Sequence, residues 1–499
     1  MSKIKVEFLL IMIFLLGLFL RVMHLKGESL TFTYDQARDA FIMQNMVKGD
    51  IKFQGPPATA PGLFHGVLYY YLMLPAYVIG QGNPISAAIW LSIINSLTIF
   101  VVYGFSIAMF KDKKLSLILC LLFSVSFGES QYSTWLSNGS ISSLFVPLFY
   151  FGLWGWMNKK DWGPAFAAIG LAGAVQSVIF MLYQIPVLLI LWLLKKVSFD
   201  KKNLLKFMTI FILGISTVII SDIKFGFPSL RGINNLLIKQ DAAVVNKTFM
   251  DHLGVYLNQF GHLFSINLFP LNEGYAGFLG IFLIIFALRF AKSSELIILY
   301  VLSSLIASPF GGSSTPYITV GLSTGVILLL GLFFSFLVSK NKFWLVLLIS
   351  TLMVIVNVFF IVTKGAKGQT NFAIQDLTLK DEKAALDYIY LNQKGRPFSL
   401  NTITSPLYIN VLWSYLFNWY GKKTYLYLPY WHGHAQIDLL GNNLQKPTKE
   451  TTDYYLIIEP SETNLDPWIP QLLEEESGHS RLIEEKKFGQ IRVQKREKI

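Results

Sequence analysis

A single cysteine, Cys120, among 499 residues leaves no partner for a disulfide and no thiolate set for a structural zinc site. Charge is also scarce. Only 14% of the residues are Asp, Glu, Lys or Arg against 53% hydrophobic, and the mean hydropathy is +0.49, which excludes an ordinary soluble globule. No Gly-rich phosphate loop, HExxH pattern or GxSxG elbow occurs, which argues against nucleotide-driven transport and serine hydrolysis. Internal repeats and low-complexity segments are missing too.

What is abundant is apolar sequence in long runs, so the chain reads as a polytopic membrane protein. Runs near the roughly 20 residues needed to span a bilayer lie at 6–23, 85–110, 115–130, 140–157, 164–194, 206–222, 276–290, 294–309, 315–338 and 343–363. The run 164–194 is too long for one span, and Gln176, Gln184 and Pro186 mark where it folds into two, giving about eleven spans in all. The net charge of +12 comes from lysines in short groups between these runs, as the positive-inside rule requires, and gives no reason to invoke nucleic acid. The amino terminus has the charge and length of a signal peptide, but no small-residue cleavage site follows, so a retained anchor is expected.

With Lys3 and Lys5 inside, the lysine and arginine groups at 111–114, 159–160, 195–206, 289–292 and 340–342 fall on one side if 63–79 does not cross. That aromatic segment, interrupted by Gly66 and Pro75, is expected to be re-entrant or interfacial. External loops then cover 24–84, 128–138 and 222–275, on a transmembrane domain 1–363. The polar tail 364–499 forms an extracytoplasmic α/β domain. Within it, 379–393 and 468–476 read as helices, and 398–402, 454–458 and 488–495 as strands.

The densest chemistry lies in the first loop, where Tyr34, Asp35, Arg38 and Asp39 follow one another within six residues. If 36–48 is helical, Ala37, Ala40, Phe41, Met43 and Val47 gather on one apolar side, as in a helix lying in the bilayer interface. Asp35 then sits at its start and Asp39 one turn on, with Arg38 compensating their charge. The plainer reading makes Asp35 only an N-cap. In the loop 128–138, Glu129, Gln131, Tyr132, Trp135 and Asn138 suit either the aromatic belt or a sugar. At 221–232, SDIKFGFPSLRG places Asp222, Lys224 and Arg231 at headgroup depth. The two cations there could hold a lipid phosphate, with snorkelling as the ordinary alternative. His65, His252 and His262 are too scattered to argue for a metal site.

Taken in order, a first span ending in Arg21, the Tyr34-Asp35 pair, a Pro-rich stretch and GLFHGVLYYYL at 62–72 resemble the bacterial membrane glycosyltransferases of the GT-C superfamily. The nearest branch looks like the protein O-mannosyltransferase-like, family 39-type enzymes. GNPISAAIW at 82–90, the 221–232 motif and FGQIRVQK at 488–495 are similar to that branch as well, so the resemblance covers most of the chain. It implies a polytopic all-α GT-C-like membrane domain with a C-terminal extracytoplasmic α/β domain, a polyprenyl-phosphate sugar donor, and inverting transfer outside the membrane with Asp35 as base. Two departures stand out: Asp35-Gln36 where many members have Asp-Glu, and Gly62-Leu63-Phe64-His65-Gly66 where many have Pro-Pro-Leu.

The expectation is therefore a transferase that passes a monosaccharide from a lipid phosphate to a glycan, lipid or protein hydroxyl. Asp35 is the base, and Tyr34, Arg38, Asp39, His65, Asp222, Lys224 and Arg231 bind substrate. No cofactor is specified, and a divalent metal stays open. The rival is a lipid or glycan transporter or flippase. Its kind tends to carry charge and broken helices at the midplane, whereas this sequence concentrates charge in its loops.

Overall fold

The computed structural model describes residues 3–58, 62–197, 200–232, 249–270, 272–291, 294–307, 316–365, 377–433, 444–446, 451, 453–460 and 468–499. The chain divides into two compact units, one made of Met1–Met23, Ile51–Leu72 and Ile89–Ala366, the other of His24–Asp50, Met73–Ala88 and Lys367–Ile499. The first loop is thus shared between the two, and the Asp35 stretch is grouped with the tail rather than with the spans.

The first unit is helical. Among the described residues five helices are long and apolar enough to cross a membrane, or seven if each of two bent pairs counts as one span. The sequence suggested about eleven spans. The remainder are shorter apolar helices of 10–17 residues, such as Ile179–Leu193 and Ser323–Ser339. The expected break in 164–194 is found: Gly163–Ser177 ends at Val178, and a 3-10 turn leads into Ile185–Leu193. Asp112 caps Lys113–Ser124 by accepting from the amides of Lys114 and Leu115. Ser142–Met157 and Gly163–Ser177 pack so closely that a Cβ on Gly152 would meet the backbone of Ala167, the small-residue approach common between membrane helices. Residues 222–275, read from the sequence as a loop, contain the helix Phe249–Asn267. Its Asp, His, Asn and Gln residues had diluted the apolar signal.

In the second unit the tail builds a five-stranded mixed sheet, order β2-β1-β3-β5-β4, from β1 (Ser399–Ile403), β2 (Tyr430–Trp431), β3 (Asp453–Ile458), β4 (Ser480–Phe488) and β5 (Ile491–Lys498). The strand β1 runs parallel to β2 and β3, while β3 and β4 are antiparallel to β5. Central β3 is buried over Tyr454–Ile458, as a strand flanked on both sides should be. The helix Leu379–Gln393 lies where the sequence placed it, with Thr378 capping Asp381. The expected strand 488–495 is instead a hairpin. Gly489, at φ +56°, turns the chain between Phe488 and Ile491, a conformation glycine adopts without strain.

Candidate functional site

The helix of the first loop runs Tyr34–Val47, and its cap is Thr33, whose amide donates to the Gln36 side chain. Asp35 is therefore not the N-cap, although a carboxylate in the first turn still suits the helix dipole. Arg38 joins the two acids. Its Nη1 donates to Asp35 Oδ1 at 2.6 Å, while Nε and Nη2 donate to Asp39 Oδ1 at 3.0 and 2.9 Å. The guanidinium also stands 5.5 Å from the centre of the Tyr34 ring. The two carboxylates differ in access, since the Asp35 side chain is 54% exposed and that of Asp39 only 3%.

This is not the one-sided helix of a bilayer interface. Gln36, Arg38 and Asp39 are buried together with Ala37, Ala40, Phe41 and Met43, whereas Val47 is exposed. The cause is packing against the tail helix Val411–Leu416. The Tyr415 ring meets Phe41 edge-on at 5.1 Å and Phe32 at 5.6 Å, and its hydroxyl donates to the Gly82 carbonyl. Leu379 and Lys380 donate backbone hydrogen bonds to Leu30 and Glu28, and Lys383 pairs with Glu28 at 2.6 Å. The Asp35 helix is thus held within a folded domain.

The other candidate residues belong to the first unit. His65 is buried, and its Nδ1 accepts the amide of Ile179 at 3.1 Å, which leaves the proton of a neutral ring on Nε2. Around it the Gly55 amide donates to the His65 carbonyl and the His65 amide to the Pro56 carbonyl, Gly66 donates to the Gln176 carbonyl, and Gln176 Nε2 donates to Gly214 and Thr217. A Cβ on Gly66 would collide with the Gln176 side chain, so the GLFHG turn requires glycine there. Gly62 lies against Pro228 and Gly232, and the Lys224 ammonium stands 5.5 Å over the Phe53 ring, so 51–66 and the 221–232 motif come together. Asp222 accepts the Ser229 amide at 2.8 Å and shapes that motif's turn, while Arg231 Nη2 donates to the Gly226 carbonyl. Both Lys224 and Arg231 are exposed. His262 pairs with Glu273 at 2.7 Å, and among the described residues no group of three His, Cys, Asp or Glu has metal-holding geometry.

The segment 128–138 departs most from the sequence reading. Phe127–Thr134 is a helix, bent 55° from Lys113–Ser124, and Glu129, Gln131, Tyr132, Trp135 and Asn138 are all buried. Trp135 stacks on Tyr317 at 5.2 Å and Asn138 donates to the Ser177 carbonyl, so neither an aromatic belt nor an open sugar surface describes it. Glu129 Oε2 accepts from Ser143 at 2.6 Å, and Oε1 has no hydrogen-bond partner among the described residues. The equally buried Arg21 donates to Ser133 and to the Ser124 carbonyl, and its Nη2 has no partner among the described residues. The serines at 124, 126, 130, 133, 137, 140, 142 and 143 were the signal of a polar interior. Between two apolar runs, that polarity had looked like a loop.

In the tail, buried Glu459 accepts from Trp413 Nε1 and the Ser405 amide, both at 2.8 Å, and burial raises its pKa to about 7. Buried Glu382 has no partner for either oxygen among the described residues. Burial first, then the charges of Glu459 and Asp381, push its pKa well above the usual carboxylate range.

No protein-family model matches the sequence, and no curated protein matches it. Among solved structures, the Archaeoglobus fulgidus oligosaccharyltransferase complex with Zn and sulfate aligns at a TM-score of 0.45 and 14% identity. That alignment covers 88% of this chain but 62% of the archaeal one. ArnT from Cupriavidus metallidurans, solved bound to undecaprenyl phosphate, aligns at a TM-score of 0.56 and 10% identity over 99% of this chain and 98% of its own. A helical membrane domain followed by a mixed α/β domain is common to both chains: this protein has an ArnT-like fold.

Proposed function

We propose that the chain is an integral-membrane glycosyltransferase, of the protein O-mannosyltransferase-like kind, that moves a monosaccharide from a polyprenyl-phosphate donor to an extracytoplasmic acceptor hydroxyl with inversion. The observation that carries this reading is Asp35, a carboxylate 54% exposed and oriented by a buried arginine on a helix packed into a folded domain. In the reaction the acceptor oxygen forms its bond to the anomeric carbon as the bond from that carbon to the phosphate oxygen breaks. The bonding pair leaves with the phosphate, and the hydroxyl proton passes to Asp35. Arg38 donates to Asp35 and fixes its rotamer, and Asp39 shares the same guanidinium. Lys224 and Arg231 are assigned separately to the donor's phosphate, by their charge and exposure.

The transporter reading keeps one specific support. Two bent helix pairs and the buried Arg21 and Glu129 are features that the sequence had reserved for transporters. Purified full-length protein in proteoliposomes, given radiolabelled polyprenyl-phosphate sugars and candidate acceptors, separates the two. Label in the acceptor with inverted anomeric configuration supports the transferase, whereas flipping of intact donor without transfer assigns the chain to transport. Sidedness is read with Cys120→Ser and Ser477→Cys and an impermeant thiol reagent on intact cells, and an unlabelled Ser477→Cys would place the tail inside.

A further inference from the structure

The lysine groups account for more than orientation. A cavity of about 780 Å³ opens where several helices of the first unit end, and Lys111, Lys160, Lys195 and Lys196 line it. Its volume lies within the range of small-molecule sites, roughly 300–1,000 Å³. Its lining also includes an apolar wall of Met157, Phe290, Leu332 and Phe336 with Trp154. Among the described residues no carboxylate lines it, although Glu295 pairs with Lys196 at 2.9 Å. Two more cations stand over rings of this wall, Arg289 at 5.5 Å from Phe290 and Lys340 at 5.7 Å from Phe336.

The helices Thr98–Phe110, Ser142–Met157, Glu273–Phe290 and Ser323–Ser339 all bring their C-terminal ends to this cavity. Each end carries about half a negative charge, so together they balance about two of the cations and leave the excess for an anion. Lys113, Lys114 and Lys202 belong to the same lysine groups yet do not line the cavity, so topology alone does not require this clustering. Phe290, one of the lining residues, is 56% exposed, so part of the apolar lining is open to the surroundings.

We propose that this cavity binds an anionic glycerophospholipid, with its phosphate among Lys111, Lys160 and Lys195 and an acyl chain along Met157, Leu332 and Phe336. Cations beside an apolar wall fit a phosphate that carries a hydrocarbon tail better than a free ion, and basic pockets between membrane helices suit such headgroups. The site is independent of Asp35 and of the reaction proposed above.

The test is native mass spectrometry of the full-length protein from mixed micelles of phosphatidylglycerol and phosphatidylcholine. Wild type and the control K113Q/K114Q/K202Q should retain phosphatidylglycerol, and K111Q/K160Q/K195Q should retain at least tenfold less. Lys196 is left in place because of Glu295. As a measurement that does not depend on the triple variant folding, wild type is also melted with each lipid, and phosphatidylglycerol should give the higher midpoint. Equal retention by the two triple variants, equal melting in both lipids, displacement by millimolar inorganic phosphate, or preference for a polyprenyl phosphate would each overturn the proposal.

Discussion

Two helices carry acidic residues that the sequence placed in outer loops, and they treat them in opposite ways. In Tyr34–Val47 two carboxylates share one guanidinium, one of them buried and the other open to solvent. In Phe127–Thr134 the single carboxylate is wholly buried and bonded to one serine, and its second oxygen and one nitrogen of the buried Arg21 have no partner among the described residues. A base must reach a proton on its substrate, so access favours Asp35. A buried charge with incomplete partners raises the cost of any change around it, so Glu129 belongs to the architecture of the spans.

The sharpest way to break that contrast is to change Asp35. An amide caps or crowns a helix about as well as a carboxylate, but it has no comparable proton affinity. Asp35→Asn should therefore lower transfer roughly 10²- to 10⁴-fold, the usual contribution of a general base, with the protein still folded. Wild-type transfer by this variant would remove Asp35 from the chemistry. Asp39→Asn should be milder in rate, because that side chain is buried and acts through Arg38; an equal loss would make the pair one functional unit.

Glu129 gives the reverse expectation. Glu129→Ala deprives buried Ser143 of its acceptor and removes a carboxylate whose charge acts on buried Arg21, and should destabilise the protein by about 3 kcal/mol, the upper end of the range for leaving a buried polar group unsatisfied. Denaturant unfolding in detergent reads this loss, while transfer per folded molecule should stay near wild type. A fall in turnover comparable to that of Asp35→Asn, with stability intact, would reverse the two assignments.

How much of this the sequence disclosed depends on whether a signal was local. The spans, the break after Gln176, the tail helices and two of the strands follow from periodicity and composition over short windows. The clustering of Tyr34, Asp35, Arg38 and Asp39 was legible because a helix brings near neighbours in sequence together. The rest needed contacts distant in sequence. Nothing within 128–138 announces Ser143, Arg21 or Tyr317 as neighbours, and nothing in 34–47 announces Tyr415. The same limit applies to the hairpin at Gly489, where alternation continued across the turn and looked like one strand.

A third carboxylate sharpens the comparison, because Glu459 is buried like Glu129 but is fully bonded and lies in the tail domain. Its pKa is raised from 4.5 to about 7, so the native state holds a proton that the unfolded chain has already released between those values. Stability is then greatest below about pH 4.5 and falls as pH rises to about 7, by up to ~3 kcal/mol for a shift of this size. Glu382, shifted in the same direction, adds to that slope. Glu459→Gln should flatten the profile of tail unfolding, followed by hydrogen exchange around Trp413. An unchanged slope in that variant would show that other groups set it.

The smallest effect is expected at Lys224 and Arg231. Their sequence position at headgroup depth suggested partly desolvated cations, whose charge-assisted bonds to a phosphate would contribute a few kcal/mol. Both are exposed, with Lys224 over the Phe53 ring and Arg231 bonded to its own turn, so solvent and salt screen what each offers. Each change to glutamine should therefore raise the donor KM by about tenfold, equivalent to ~1.4 kcal/mol, and leave kcat and folding nearly unaltered. Screening also predicts that the gap between variant and wild type narrows as salt is raised from 0.05 to about 0.5 M, where the Debye length is only a few ångströms. A salt-independent loss of 10³-fold or more would mean that the phosphate draws these side chains into a dry contact. No change in KM at low salt would return both cations to snorkelling and leave donor binding to other groups.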